Sequence, residues 1–189
     1  MQLPSLITAC QQQLQQQRSS LCYHNLAHTK GVVAAVAALH IAPEILIPAA
    51  YIHDLGYEQS AQGHEAIAIA WGQKQLPKWG FKQKQIQEIC LAIEATQLGQ
   101  KPKTILGAYL KDADISYSLS SHFWSRGELL RTEWQLENQR QYSDTAWLKL
   151  QYHFLEELLF FSPWGQLYLE PLRRYYLQQI TERLQKMNI

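Results

Sequence analysis

Four side chains far apart in the sequence have the chemistry of a divalent-metal site: His28, the adjacent pair His53-Asp54, and Asp112. Two imidazoles and two carboxylates are costly to bury unless something pairs with them. A metal ion is an economical partner, because it takes imidazole neutral and carboxylate ionised. Mixed nitrogen and oxygen donors suit manganese, iron, nickel, cobalt, zinc or magnesium and leave coordination positions open for water. An ion of that kind polarises a phosphoryl oxygen and lowers the pKa of bound water toward ~7. Taken singly, each residue has a plainer explanation: a His-Asp dipeptide can end a helix, and a histidine on an apolar stripe is usually just hydrogen-bonded. The ordered set is what points to a metal.

Helices must position these residues, because helical periodicity dominates the chain. Leu6, Ile7, Cys10 and Leu14 mark a first amphipathic helix, with the glutamines Gln11–Gln17 on its solvated face. Asn25 reads as an N-cap that places His28 in the first turn of the next helix, on a stripe with Val32, Ala35 and Leu39. Pro43 and Pro48 bracket a short segment, Glu44–Ile47. A buried helix from Pro48 then ends in His53-Asp54, with Gly56 as its stop. A loop from Tyr57 to Gly63 delivers His64 to a helix over Glu65–Leu76. Ile86, Ile89, Cys90 and Ile93 trace another, and Ile105–Ser120 a further one. In that helix Tyr109, Asp112, Ser116 and Leu119 share one side, and Leu110, Asp114 and Tyr117 another. The C-terminal third reads as helical and aromatic, from about Asp144 to Phe161 and from about Glu170 to Met187, with its aromatics assigned to packing.

Composition sets the outer bounds. With 189 residues, 47% hydrophobic and 17% charged, the chain suits one all-α domain spanning 1–189. Seventeen basic and sixteen acidic residues leave a formal charge of +1, which is no electrostatic signature of nucleic-acid or membrane binding. Cys10, Cys22 and Cys90 form no CxxC pair and fit buried thiols in a reducing compartment. No run is long enough to cross a bilayer and the start lacks a leader pattern, so a cytoplasmic location is expected.

Tyr23-His-Asn-x-x-His28, then Ile52-His-Asp-Leu-Gly56, then Leu110-Lys-Asp-Ala-Asp-Ile115 together resemble the H…HD…D pattern of the HD-domain superfamily of metal-dependent phosphohydrolases. The resemblance covers about residues 21–119. It implies a bundle of five or more helices with His28, His53, Asp54 and Asp112 as metal ligands, and the C-terminal helices packed on that region. Asp112 is the aspartate that matches the family ligand. Asp114 lies about 200° further round the helix, so it is expected to face elsewhere. His64 matches a position that many members fill with histidine, including those with a second metal. The second histidine of such members has no counterpart over Ile86–Leu98.

The resemblance implies hydrolysis of a small phosphoester, with a nucleotide as the leading substrate, by metal-activated water. Asp54 would steer that water, His64 would handle a proton or phosphate, and Glu58 and Glu94 are candidates for an auxiliary acid or base. Lys30, Lys111 and Arg126, with Arg131 behind them, are the candidates for phosphate charge. Two other expectations stand beside this one: a metal- or nucleotide-sensing module of the same fold that hydrolyses nothing, and a di-iron oxygenase on that fold.

Overall fold

The computed structural model describes residues 2–187 and is helical throughout, with no strand among them. The first helix, α1 (Leu3–Gln15), buries Leu6, Cys10 and Leu14 at four-residue spacing and turns its glutamines outward. Helix α2 (Leu26–Leu39) opens on Asn25, whose side chain accepts hydrogen bonds from the backbone N–H groups of Ala27 and His28 at 2.8 and 3.4 Å. The cap fixes where the first turn begins and therefore the direction in which His28 leaves it.

Helix α3 (Pro43–Ile52) differs from the expected pair of segments. It runs unbroken through Pro48, starting from Ala42 in the left-handed region at φ 37°. Proline removes one N–H donor and leaves the carbonyl of Glu44 unpaired; Glu44 is exposed, so water can take that carbonyl. The helix ends at Ile52, one residue before His53. Gly56 is not the stop. It lies inside a 3-10 turn, Leu55–Glu58, where a methyl group would overlap the backbone carbonyl of His64. Glycine is needed there because two segments of chain touch.

Helix α4 (His64–Gln75) leads through a 3-10 turn (Leu76–Trp79) into α5 (Gln83–Thr96), and α6 (Ile105–Ser118) packs along α5, α2 and α3. The close approach of α6 to α2 is set by Gly31, whose missing side chain makes room for the Tyr117 ring, and that to α5 by Gly107 against Ala95. One hydrophobic cluster joins α1 to α6 around Leu46, Ile52, Ile89, Ile93 and Leu110.

The C-terminal third forms α7 (Phe123–Asn138), α8 (Asp144–Glu157) and α9 (Glu170–Lys186), the last entered through a π turn, Gly165–Leu169. The expected helix to Phe161 therefore stops four residues short. Leu119, Phe123, Leu155, Phe160, Tyr176 and Ile180 make a second cluster, and Trp164 packs against both. Phe123, Trp147, Phe160 and Tyr176 are buried here, and Trp124, Tyr142, Tyr152, Phe161 and Trp164 half-buried, but Trp134, Phe154, Tyr168 and Tyr175 are exposed, against the expectation that the aromatics pack.

Candidate metal centre

His28 and Asp114 reach the centre from α2 and α6. His53 and Asp54 reach it from the turn that follows α3. The Nε2 atoms of His28 and His53 are 3.2 Å apart. Asp54 Oδ2 lies 3.1 Å from the first and 3.2 Å from the second; Asp114 Oδ1 lies 3.0 and 3.6 Å from them. Donor atoms bonded to one ion at ~2.1 Å stand roughly 3.0–3.4 Å from their neighbours. The ligand atoms of His28, His53 and Asp114 all lie within 4.8 Å of one another, close enough for the three to hold an ion, and Asp54 Oδ2 adjoins both imidazoles.

The aim of the donors fits a metal as well. His53 Nδ1 pairs with the carbonyl of Ala50 at 2.8 Å, so that nitrogen carries the proton and Nε2 is left as an acceptor. Asp54 Oδ2 is fully shielded and accepts no hydrogen bond from the protein, although both imidazoles come within 3.2 Å of it. His28 Nδ1 is likewise shielded and without a protein partner.

Electrostatics lock the group together. Burial pushes the His28 and His53 pKa values down, and the carboxylates of Asp54 and Asp114 more than reverse this, leaving both raised. Burial raises the carboxyl pKa values, and contact with the two imidazoles overrides it, holding Asp54 well below and Asp114 below the ordinary carboxylate value. Without an ion, both imidazoles therefore favour the protonated form and both carboxylates the ionised form; a divalent cation at their focus would replace the two Nε2 protons and satisfy the carboxylates in their stead.

Asp112 does not belong to the centre. Two residues before Asp114, it points to the opposite side of α6, as helical geometry requires. Its Oδ2 accepts hydrogen bonds from the backbone N–H of Ser162 at 2.7 Å, from the Ser162 hydroxyl at 2.6 Å and from the N–H of Phe161 at 3.2 Å. Ser162 in turn caps the helical turn after it, accepting from Gly165 N–H at 2.9 Å. Asp112 thus fastens the C-terminal helices to α6. Asp114 shares its stripe with Leu110 and Tyr117, and Tyr117 lies edge-on to the His28 ring, 4.9 Å between centroids, which places this side of α6 against α2.

Three further assignments are corrected by their surroundings. Lys111 is buried, its pKa lowered by burial, and its Nζ donates to the carbonyls of Ala95 and Gln97 at 2.9 and 2.7 Å. It satisfies the C-terminal carbonyls of α5 and has no freedom to hold phosphate. Arg126 donates to the Tyr117 carbonyl and the Ser120 hydroxyl and lies over the Tyr117 ring at 3.7 Å, behind the centre. Glu58 is turned outward, where its carboxylate and carbonyl take Arg18. Lys30 is exposed on α2, about 200° round the helix from His28. Glu94 pairs with Lys103 at 2.7 Å and Arg131 with Asp144 at 2.8 Å.

His64 does reach the site. Its Nδ1 pairs with the Ala61 carbonyl at 2.9 Å, and its Nε2 lies 3.4 Å from Asp54 Oδ1 and 3.5 Å from Glu65 Oε1. Burial lowers its pKa and the Asp54 carboxylate raises it further, so the net shift is upward. Helix α5 carries no histidine. A groove of about 580 Å³ opens beside Glu65 between α4 and α5; Gln73, Gln83, Gln87, Cys90 and Glu94 line it, and no lysine or arginine does.

No family model, curated protein or solved structure matches the chain. Among the described residues, no helix is long and apolar enough to cross a membrane.

Proposed function

We propose that the protein is a metal-dependent phosphohydrolase of HD type acting on a small phosphoester, with a nucleoside monophosphate as the leading substrate. The observation that carries this reading is the grouping of His28, His53 and Asp114 ligand atoms, with Asp54 Oδ2 3.1 and 3.2 Å from the two imidazoles, shielded and free of hydrogen bonds. These four residues would hold a single divalent ion: manganese, iron, nickel, cobalt, zinc or magnesium. When bound, such an ion neutralises phosphoryl charge and acidifies a water molecule at neutral pH.

The chain's own groups supply the rest. Asp54 binds with Oδ2 and keeps Oδ1 toward His64. His64, whose raised pKa favours the imidazolium, would then carry a proton on Nε2 as well as on Nδ1, and Nε2, between Asp54 and Glu65, is placed to give that proton to a departing oxygen. The groove beside Glu65 has the size of a small-molecule site. Its amide side chains can hydrogen-bond an uncharged sugar or base, while its lack of cations suits a substrate with no second phosphate.

The test is phosphate release from a panel of mononucleotides and sugar phosphates supplied with manganese, nickel or cobalt, with single-stranded DNA and RNA alongside. Turnover of monophosphates, with the polymers untouched, is the expected result. Degradation of polymers with no turnover of any small phosphoester would overturn it. One observation favours a second reading, a sensing module that binds without hydrolysis: Lys111 and Arg126 are both committed elsewhere, so neither offers its charge to a phosphate at the centre. Silence on every substrate by the metal-loaded protein would select that reading. A di-iron oxygenase finds less support, since α5 offers no histidine for a second ion.

A further inference from the structure

We propose that Glu133, on α7, is a positioning residue for the candidate centre: through His24 and Tyr57 it fixes the ring of His64 beside Asp54. Glu133 is only 2% exposed, yet no lysine or arginine pairs with it among the described residues. Its Oε2 instead accepts the backbone N–H groups of Tyr23 and His24 at 2.8 and 2.9 Å, and its Oε1 pairs with His24 Nδ1. A buried carboxylate with three N–H partners holds the corner before α2 in one conformation.

The His24 ring so held lies flat on Tyr57, 3.9 Å between centroids and 11° between planes. The other face of Tyr57 meets His64 at 4.0 Å and 36°. Tyr57 itself is anchored at the centre, its backbone N–H donating to the Asp54 carbonyl at 3.1 Å. His64 therefore has two restraints, the Ala61 carbonyl on Nδ1 and the Tyr57 face. Together they leave Nε2 beside Asp54. Glu133 lies outside the stretch carrying the motif, so the C-terminal helices reach the centre along this stack. Its kinetic consequence rests on the phosphohydrolase reading; the placement of His64 does not.

Two kinds of measurement separate those. The first follows the His64 ring resonances by NMR in the metal-free protein, for wild type, Glu133→Gln, His24→Ala, Tyr57→Leu and Tyr57→Phe. Stacked rings shift one another's resonances, so His24→Ala and Tyr57→Leu move the His64 signals toward those of free histidine. Tyr57→Phe, which keeps the ring, leaves them in place. Glu133→Gln keeps acceptors for both backbone N–H groups and loses only the carboxylate–imidazole pair; it gives a smaller move in the same direction. The second is steady-state kinetics, where loss of the stack lowers kcat roughly tenfold with KM and metal stoichiometry unchanged. His64 signals that stay put in folded His24→Ala and Tyr57→Leu overturn the proposal, whatever the activity. Moved signals in a protein that hydrolyses no phosphoester uphold the stack and remove the hydrolase reading instead. Should Glu133→Gln not fold, unmoved signals in the other two variants still overturn the proposal.

Discussion

Asp114 Oδ1 and His28 Nε2 stand 3.0 Å apart across the contact between α6 and α2. Two residues earlier on the same helix, Asp112 turns away to take the N–H groups of Phe161 and Ser162. The two aspartates of one Asp-Ala-Asp sequence therefore have separable roles. Asp114→Asn removes a proposed ligand and should weaken divalent-metal binding by roughly 100-fold or more, since losing even an outer partner of a ligand costs 10–100-fold. Asp112→Asn should leave metal affinity near wild type and lower stability by about 2 kcal/mol. Calorimetric titration and urea unfolding of both variants check this crossover.

Gly56 and Gly63 separate two reasons for glycine. A side chain at Gly56 meets the His64 carbonyl, so Gly56→Ala forces apart the segments that carry Asp54 and His64. It should cost about 3 kcal/mol and lower metal affinity. Gly63 adopts φ 73° in open space, so Gly63→Ala should cost only about 1 kcal/mol. Urea unfolding gives both figures.

Burial pushes the Cys10 thiol from 9.0 up to about 12. A group whose pKa is raised on folding stabilises the fold fully below its unfolded value and loses that contribution as pH climbs through the folded one. The Cys10 contribution is therefore intact below pH 9 and should fall by about 1.4 kcal/mol per pH unit above it. Comparing wild type with Cys10→Ala isolates this slope from other groups: the stability difference between them shrinks between pH 9 and 11. A difference constant over that range would contradict it.

Local rules carried much of this architecture in the sequence. Asn25 as a cap, the Leu6, Cys10, Leu14 stripe and the burial of His28 and His53 all follow from spacing and side-chain chemistry within a few residues. Periodicity also placed Asp112 and Asp114 on different sides of α6. What it could not say is which side meets α2, because both stripes mix apolar and polar residues and the choice is made by the docking of Phe161 and Ser162, some fifty residues on. Lys111 was misread for the same reason: the carbonyls that take it belong to the end of another helix. Pro48 looked like a boundary because proline removes a donor, but an exposed Glu44 lets the helix run through it. His24 stood inside the motif unnoticed, since its meaning depends on Glu133, 109 residues away.

Lys111 offers a further contrast. If its only partners are the α5 carbonyls, Lys111→Met should lower stability by about 2 kcal/mol and leave KM for any phosphoester unchanged. A lysine that held phosphate would instead raise KM tenfold or more with little change in stability. Thermal melts and steady-state kinetics on one preparation distinguish these outcomes.

His28, His53, Asp54 and Asp114 are proposed to share one divalent ion. Manganese titration of the chelator-treated chain, run in parallel on wild type, His53→Asn, Asp114→Asn and Asp112→Asn, tests it most directly. One tightly bound ion per chain for wild type and Asp112→Asn, with binding lost in His53→Asn and Asp114→Asn, is the predicted result. Undiminished binding by Asp114→Asn, or loss of binding confined to Asp112→Asn, would contradict it.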